Sequence, residues 1–137
     1  MAINPLKVLF VASEVEGLVK TGGLADVAKA LPQHLARAGH DVRIILPFYQ
    51  TLKRRDEARL LASRWLPTPQ GRDDISYRIY QLELDGICVY LLDCPAYFER
   101  PQLYAENNQA YPDNGERFAF LAAAALHACE QLNFAPD

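Results

Sequence analysis

A strand, a glycine-containing loop, a helix and a second strand follow one another at the start of the chain, and this order constrains the fold most. Residues 6–13 are a nearly continuous apolar run, too short for a helix and without alternation, which predicts a central parallel strand covered on both faces. Apolar residues recur every three or four positions from Leu24 to Ala38, as in an amphipathic helix that packs on the sheet and ends at Gly39. Residues 41–47 predict the next strand, so the chain belongs to the α/β class.

The second half predicts a hairpin, a long loop and another helix. Residues 76–84 and 87–93 have strand composition and flank Asp85-Gly86, the signature of a type I′ turn. Residues 95–114 predict a long ordered loop that reaches the ligand cleft. A helix is expected over residues 115–132. The sheet is therefore expected to be mostly parallel with an added β-hairpin.

Three details of these elements are also predictions. Pro32 is expected to kink the first helix, and the side chains of Asp113 and Asn114 are candidate N-caps of the last one. Residues 50–74 give no firm assignment. The apolar face expected for the last helix consists of Phe118, Leu121, Ala122, Ala125, Leu126 and Cys129.

Composition excludes several classes of protein. Half of the 137 residues are hydrophobic and the formal charge is −3, which describes one folded domain with no general attraction to nucleic acid or to an anionic membrane. Cys88, Cys94 and Cys129 have no C-x-x-C spacing, so we expect reduced, mostly buried thiols. The N-terminus has no basic n-region, and no apolar run approaches the ~18 residues of a membrane span. We therefore expect a cytoplasmic protein with no nucleic-acid or membrane partner.

The loop between the first strand and the first helix is the candidate phosphate site. In α/β sheets, ligands bind beyond the carboxyl ends of the strands. There Gly22 and Gly23 would let backbone N–H groups approach oxygen atoms, while Lys20 and the helix N-terminus would supply positive charge. The pattern is neither G-x-G-x-x-G nor a P-loop. The alternative is a plain first helical turn, with a solvated Lys20 and with Asp26 interacting with the helix dipole.

Residues 20–27, K-T-G-G-L-A-D-V, resemble the signature of glycosyltransferase family 5, the bacterial glycogen synthases and plant starch synthases. Further matches are Ser13-Glu14, Ala30-Leu31-Pro32, Arg100-Pro101 and residues 111–118. The resemblance implies the N-terminal half of a GT-B enzyme, in which two Rossmann-like three-layer domains enclose the active site. It also implies transfer of glucose from ADP-glucose to the non-reducing end of an α-1,4-glucan such as glycogen, with retention and without a metal or other cofactor.

The same resemblance implies roles for individual residues. Lys20 is similar to the family lysine that contacts the nucleotide phosphates, with Thr21 and Gly22 beside it, and Gly23 to the glycine whose N–H faces them. Asp26 is similar to the catalytic carboxylate near the transferred glucose.

The resemblance places Tyr104 and Asn114 where the family lines its sugar and acceptor site, and it makes Glu14 a third candidate. Tyr104 is either a ligand contact or a loop aromatic packed on the core, and Asn114 is either a ligand contact or a helix cap. Glu14 either orients Lys20 or the acceptor, or it satisfies local backbone groups.

Two features depart from the family pattern. Residues 16–19 replace the proline or aromatic residue that many relatives have before the lysine motif, so we expect a more mobile loop. The H-x-H-D-W segment and the second domain of the family do not occur up to Asp137. His34, His40 and His127 cannot replace them, because they have neither metal-ligand nor triad spacing.

Two hypotheses therefore follow. In the first, residues 1–137 are an incomplete N-terminal domain, inactive alone because its partner, the C-terminal nucleotide-binding domain, is absent. In the alternative, the chain is a stand-alone nucleotide-sugar or glucan-binding module without catalysis. A nicotinamide-dependent dehydrogenase is disfavoured, because the glycine fingerprint is missing and the second strand ends in Leu46-Pro47 instead of an acidic residue.

Overall fold

A computed structural model describes residues 4–67 and 74–137 of the chain. The strands are β1 (Lys7–Val11), β2 (Asp41–Pro47), β3 (Arg59–Pro67), β4 (Asp74–Leu84), β5 (Ile87–Asp93), β6 (Ala105–Glu106) and β7 (Gln109–Ala110). The α-helices are α1 (Gly23–Arg37), the single-turn α2 (Pro95–Phe98) and α3 (Asn114–Gln131).

The main sheet of the described residues has the order β1-β2-β5-β4-β3. Strands β1, β2 and β5 are parallel, whereas β4 and β3 extend the sheet in antiparallel pairs. Consecutive residues of β2, such as Ile44, Ile45 and Leu46, are all buried, and because they point to alternate faces, both faces of the sheet are covered. Helices α1 and α3 both pack on β2 and β5, which gives three layers. The predicted α/β class with an added hairpin is confirmed.

Strand β1 lies at one edge of this sheet. Among residues 4–67 and 74–137, only β2 forms a strand ladder with it, and its end residues Lys7 and Val11 are exposed. Along its other side, the N–H of Asp137 donates to the Lys7 carbonyl at 2.8 Å. The prediction of a central, fully covered strand is therefore wrong for the described residues. An apolar run without alternation indicates that a strand is buried, but it does not show whether the strand has neighbours on both sides.

Helix α1 buries two alanines and exposes three of its large apolar residues. Ala25 and Ala28 are fully buried, and the N–H of Glu16 donates to the Ala25 carbonyl at 3.0 Å. The backbone before the helix therefore lies directly against it and leaves no room for a larger side chain. The expectation that the whole apolar stripe faces the sheet is wrong, since three of its members are 41–52% exposed: Leu24, Val27 and Leu31.

The C-terminus of α1 follows the prediction. The helix continues through Pro32 to Arg37. Gly39 takes a φ of 103°, and the N–H of His40 donates to the Leu35 carbonyl at 3.2 Å. These features close the last turn in the way that glycine allows.

The predicted hairpin is confirmed, and the main sheet contains one strand that the sequence did not predict. Asp85 and Gly86 have φ values of 47° and 83°, as a type I′ turn requires. Strand β3, which the sequence left unassigned, pairs antiparallel with β4 and has a register shift between Leu60 and Ala62. That shift interrupts the alternation, and the exposed edge strand carries Trp65 at 67% exposure. Residues 68–73 of the unassigned segment lie outside the described residues.

The segment expected to be a long loop contains α2 and the small hairpin of β6 and β7. Helix α3 then buries a face rotated from the predicted one, because Leu126 is 70% exposed whereas Arg117 and Phe120 are fully buried. The predicted side-chain caps are also wrong, since no side chain in the described part of the chain caps α3. Asp113 instead binds Arg100 through both carboxylate oxygens at 2.6 Å.

Candidate functional site

The candidate site lies beyond the carboxyl end of β1, where a tight turn leads into the glycine loop. Val15 and Val19 exchange two backbone hydrogen bonds of 3.0 and 2.9 Å, and Leu18 between them is fully buried. Gly17 has a φ of 93°, and a Cβ there would come within 3.3 Å of Leu84 Cδ1. The segment expected to be mobile thus forms a closed and packed turn, which requires glycine at residue 17.

Glu14 holds the loop in place. Its side chain is only 3% exposed. One carboxylate oxygen accepts the N–H groups of Thr21 at 2.8 Å and of Gly22 at 3.1 Å. The other accepts the hydroxyls of Thr21 at 2.6 Å and of Tyr104 at 2.5 Å. Glu14 therefore satisfies local groups, as one of its two predicted roles stated, and it leaves no room for a ligand on these oxygens.

The four donors keep the Glu14 carboxylate ionised. Burial alone raises the pKa of this group, but the hydrogen bonds from Thr21, Tyr104 and Gly22 outweigh burial, so the net pKa lies below the usual value. The pKa of Tyr104 is raised to about 12, mainly by burial and then by the hydrogen bond that Tyr104 donates to Glu14. Ser13 Oγ lies 2.7 Å from the Tyr104 hydroxyl, and since that hydroxyl donates to Glu14, it accepts from Ser13.

Lys20 and Asp26 form an exposed ion pair at the mouth of the site. The ammonium nitrogen lies 2.7 Å from a carboxylate oxygen, with about half of each side chain exposed. The hydrogen bond to Asp26 is the largest cause of the raised pKa of Lys20, and the hydrogen bond from Lys20 is the largest cause of the lowered pKa of Asp26. Both groups are therefore charged at neutral pH, and a ligand phosphate would share Lys20 with Asp26.

Two backbone donors at the start of α1 have no acceptor within the described residues: the N–H groups of Gly23 and Leu24. The Gly22 N–H, which the sequence offered to a ligand, is bound by Glu14 instead. A Cβ added at Gly22 or Gly23 would meet no heavy atom of residues 4–67 or 74–137 within 4 Å. The chain's own packing therefore does not require these two glycines, and their missing side chains leave open space above the free donors.

Tyr104 and Asn114 reach this loop from the opposite side. Tyr104 is half-buried and holds Glu14, while Asn114 donates from Nδ2 to the Tyr104 carbonyl at 2.9 Å. Asn114 Oδ1 in turn accepts from Arg117 at 2.8 Å. Neither of the alternatives foreseen for Asn114, ligand contact or helix cap, describes this contact. The sequence placed Arg117 within the family match over residues 111–118 but gave it no role, although a basic residue three positions before Phe120 and four before Leu121 interrupts an apolar stripe.

Three other features of the described residues bear on function: metal-ligand clusters, membrane-spanning helices, and the partners of the histidines and cysteines. Across residues 4–67 and 74–137, no group of three or more His, Cys, Asp or Glu side chains could hold a metal ion. In the same ranges we find no helix with the length and apolar character needed to cross a membrane. His40 accepts from the Leu6 N–H at 3.0 Å, and His127 lies 2.5 Å from the Tyr77 hydroxyl, so both have structural partners. Cys88, Cys94 and Cys129 are free thiols, as expected, but the prediction that most are buried is wrong, since only Cys94 among the three is buried.

Known proteins resemble this chain along its whole length. It is 82% identical over 137 residues to a glycogen synthase of Aeromonas salmonicida, of which it covers 28%. It is 58% identical over 134 residues to a glycogen synthase of Photobacterium profundum, of which it covers 26%. The chain thus spans a little over a quarter of the length of these curated relatives.

A solved structure supports the same relationship. The catalytic domain of starch synthase IV from Arabidopsis thaliana, bound to ADP and acarbose, superposes with a TM-score of 0.83 at 30% identity over 98% of this chain and 27% of that one. The fold described above is therefore that of the N-terminal part of a GT-B glycosyltransferase. The family described as the starch synthase catalytic domain matches residues 7–137. The chain belongs to the starch synthase catalytic domain family.

Proposed function

We propose that this chain is the donor-phosphate wall of a retaining glucosyltransferase, which extends an α-1,4-glucan by one glucose unit from ADP-glucose. One observation carries the proposal: at the N-terminus of α1, the N–H groups of Gly23 and Leu24 have no acceptor among the described residues, a Cβ at Gly23 would meet open space, and the first-turn residue Asp26 holds the Lys20 ammonium. Support also comes from relatives named glycogen synthase and from a structural neighbour bound to ADP and acarbose.

The chemistry needs positive charge where the donor departs. In the proposed reaction the bond between glucose C1 and the diphosphate oxygen breaks, and a bond forms from the glucan 4-hydroxyl oxygen to C1. The hydroxyl proton leaves with the diphosphate. Negative charge therefore grows on the diphosphate, and fixed donors placed there lower the barrier. Lys20 and the start of α1 supply that charge, so the proposal includes no metal.

Asp26 has two functions in this proposal. Before binding it holds Lys20 at 2.7 Å and so fixes the ammonium at the first turn of α1. After phosphate has taken part of the Lys20 hydrogen bonding, the carboxylate is available to the transferred glucose. The lowered pKa of Asp26 keeps it negative at neutral pH, as a group that stabilises positive charge building at C1 must be.

The experiment compares glucose transfer from labelled ADP-glucose to glycogen by the full-length protein and its variants. For Lys20→Ala we expect kcat to fall about 100-fold, as when one electrostatic donor of a transition state is removed. The melting temperature should hardly change, because the pair with Asp26 is exposed.

Lys29→Ala is the matched control. Lys29 also lies on α1 and is also paired, with Asp85 at 3.1 Å, but it does not face the free N–H groups. Its activity should match the parent. Equal rates for Lys20→Ala and the parent would remove Lys20 from the mechanism. We also expect no transfer by the 137-residue chain alone, and transfer by that chain would refute the need for a second domain.

A further inference from the structure

Arg117 is the most deeply buried charged group of the described residues. It lies within residues 111–118, which match the family, but the match implies no role for it and the proposed chemistry does not use it. Its side chain is 0% exposed. No carboxylate of the described residues lies within ion-pair distance of it. One guanidinium nitrogen, Nη2, has no hydrogen-bond partner in this part of the chain. A buried cation without a counter-ion costs stability, so its contacts need an explanation.

The guanidinium organises the segment between β5 and α3. Its Nε donates to the Tyr97 carbonyl at 2.6 Å. Its Nη1 donates at 2.8 Å both to the Leu103 carbonyl and to Asn114 Oδ1. It also lies 5.0 Å from the centre of the Tyr111 ring. Arg117 thus binds both ends of the residue stretch that presents Tyr104.

The same contacts lead into the candidate site. The Tyr104 carbonyl accepts from Asn114 Nδ2 at 2.9 Å and from the Tyr111 N–H at 3.0 Å. The Tyr104 hydroxyl then reaches Glu14, which holds the N–H groups of Thr21 and Gly22. Every link between Arg117 and the loop is a hydrogen bond of 3.1 Å or less.

We propose that Arg117 is a positioning residue for the phosphate loop, acting through Asn114 and Tyr104 on Glu14. This inference rests on the proposed function for its ligand, ADP, but it concerns the geometry of the loop. It predicts that disturbing either Arg117 or Asn114 changes the loop only while the Tyr104 hydroxyl is present to transmit the change.

Two substitutions in the full-length protein test the chain of contacts. Asn114→Asp keeps an acceptor for Arg117 but loses the Nδ2 donor and places a carboxylate oxygen against the Tyr104 carbonyl. Arg117→Lys keeps the charge, but its single compact ammonium cannot match the planar guanidinium, which reaches its acceptors from two separate nitrogens. Each is made alone and together with Tyr104→Phe, which deletes only the transmitting hydroxyl. A variant that fails to fold leaves the other as the test.

The first readout is the Kd for ADP by calorimetry. With Tyr104 present, we expect each substitution to weaken ADP binding about tenfold, the equivalent of one lost hydrogen bond of ~1.4 kcal/mol. In the Tyr104→Phe background, we expect the same substitutions to change Kd by less than about twofold, by the logic of a double-mutant cycle. Equal losses in both backgrounds, or no loss in either, would overturn the proposal, because a merely structural role does not depend on that hydroxyl.

The second readout needs no ligand. Hydrogen exchange at the Thr21 and Gly22 amides should become about tenfold faster in both variants, since both amides depend on Glu14. The Val19 amide, bound to the Val15 carbonyl in the same loop, should not change and is the internal control. Unchanged exchange at Thr21 and Gly22 would refute the positioning role. Absence of ADP binding in the parent, with the exchange effect present, would instead refute the proposed function alone.

Discussion

Glu14→Ala gives the sharpest test of how the loop is held, because four donors converge on one nearly buried carboxylate. Hydrogen bonds to a charged group contribute about 1.5–3 kcal/mol each when nothing replaces them. Thr21 and Gly22 are exposed, however, so water replaces Glu14 as the acceptor of their three donors. The loss of each of these hydrogen bonds therefore lowers the unfolding free energy by only about 0.5–1 kcal/mol. The Tyr104 hydroxyl is half-buried and retains its hydrogen bond with Ser13, so losing its bond to Glu14 adds about 1 kcal/mol to the destabilisation.

The expected destabilisation by Glu14→Ala is therefore about 3 kcal/mol, measured by urea unfolding of the chain at pH 7. Glu14→Gln keeps the size and one acceptor oxygen but loses the charge, so about half of that loss is expected. A loss below about 1 kcal/mol for Glu14→Ala would refute the conclusion that this carboxylate anchors the loop.

The pH dependence gives a second check on the same residue. The folded pKa of Glu14 is lower than its unfolded value, near 4.5. Its stabilising contribution is therefore fully present above that unfolded pKa and disappears as pH falls through the lower folded pKa. The stability difference between the parent and Glu14→Gln should be constant from neutral pH down to about pH 5 and shrink below that. A difference that persists unchanged into strong acid would contradict an ionised Glu14.

Two further predictions concern α1. Gly23→Ala should leave the unfolding free energy unchanged or raise it by up to about 1 kcal/mol, because alanine favours helix and its Cβ meets no described atom. The Kd for ADP should rise at least about tenfold, because the Cβ occupies the space above the free N–H groups. The control is Gly115→Ala on α3, which is equally uncrowded and should leave the Kd unchanged; equal affinities for both variants would place the ligand elsewhere. Leu31→Ala should lower the unfolding free energy, measured in urea, by less than about 1 kcal/mol. Ala28→Leu, at a fully buried position, should lower it by about 1–3 kcal/mol through overpacking. The reverse order would mean that α1 packs through its large residues.

Much of the fold was predictable because it depends on local signals. The Asp85-Gly86 pair requires positive φ values that few residues tolerate, and it does form the turn. Gly39 ends α1 for the same reason. Strand β3 escaped prediction because its edge position and register shift at Leu60 remove the alternation that marks a strand.

The orientation of α1 could not be predicted from periodicity. Its residues carry apolar side chains on two faces, large on one and small on the other, and the spacing of apolar residues along the sequence does not show which face is buried. The choice depends on a tertiary contact, the approach of the Glu16 N–H to the Ala25 carbonyl at 3.0 Å, which only alanine-sized side chains permit. For the same reason α3 buries Arg117, since the acceptors that make a buried guanidinium tolerable come from the distant residues Tyr97 and Leu103.

The candidate site separates in the same way into a predictable part and an unpredictable part. Sequence located Lys20, Gly23 and Asp26, which face outward, because a ligand site at a helix N-terminus needs charge and absent side chains there. It could not assign roles to Glu14, Thr21 and Gly22, which bind one another. The residue type alone does not show whether a glutamate points inward to hold a loop or outward to bind a ligand. The distinction has a physical consequence: since Glu14 already occupies the Thr21 and Gly22 amides, the backbone donors left for a phosphate, beside the Lys20 ammonium, are those from Gly23 onward. The loop must be fixed in place before it can bind a phosphate, and the residues that fix it lie in separate parts of the chain, from Glu14 after β1 to Asn114 on α3.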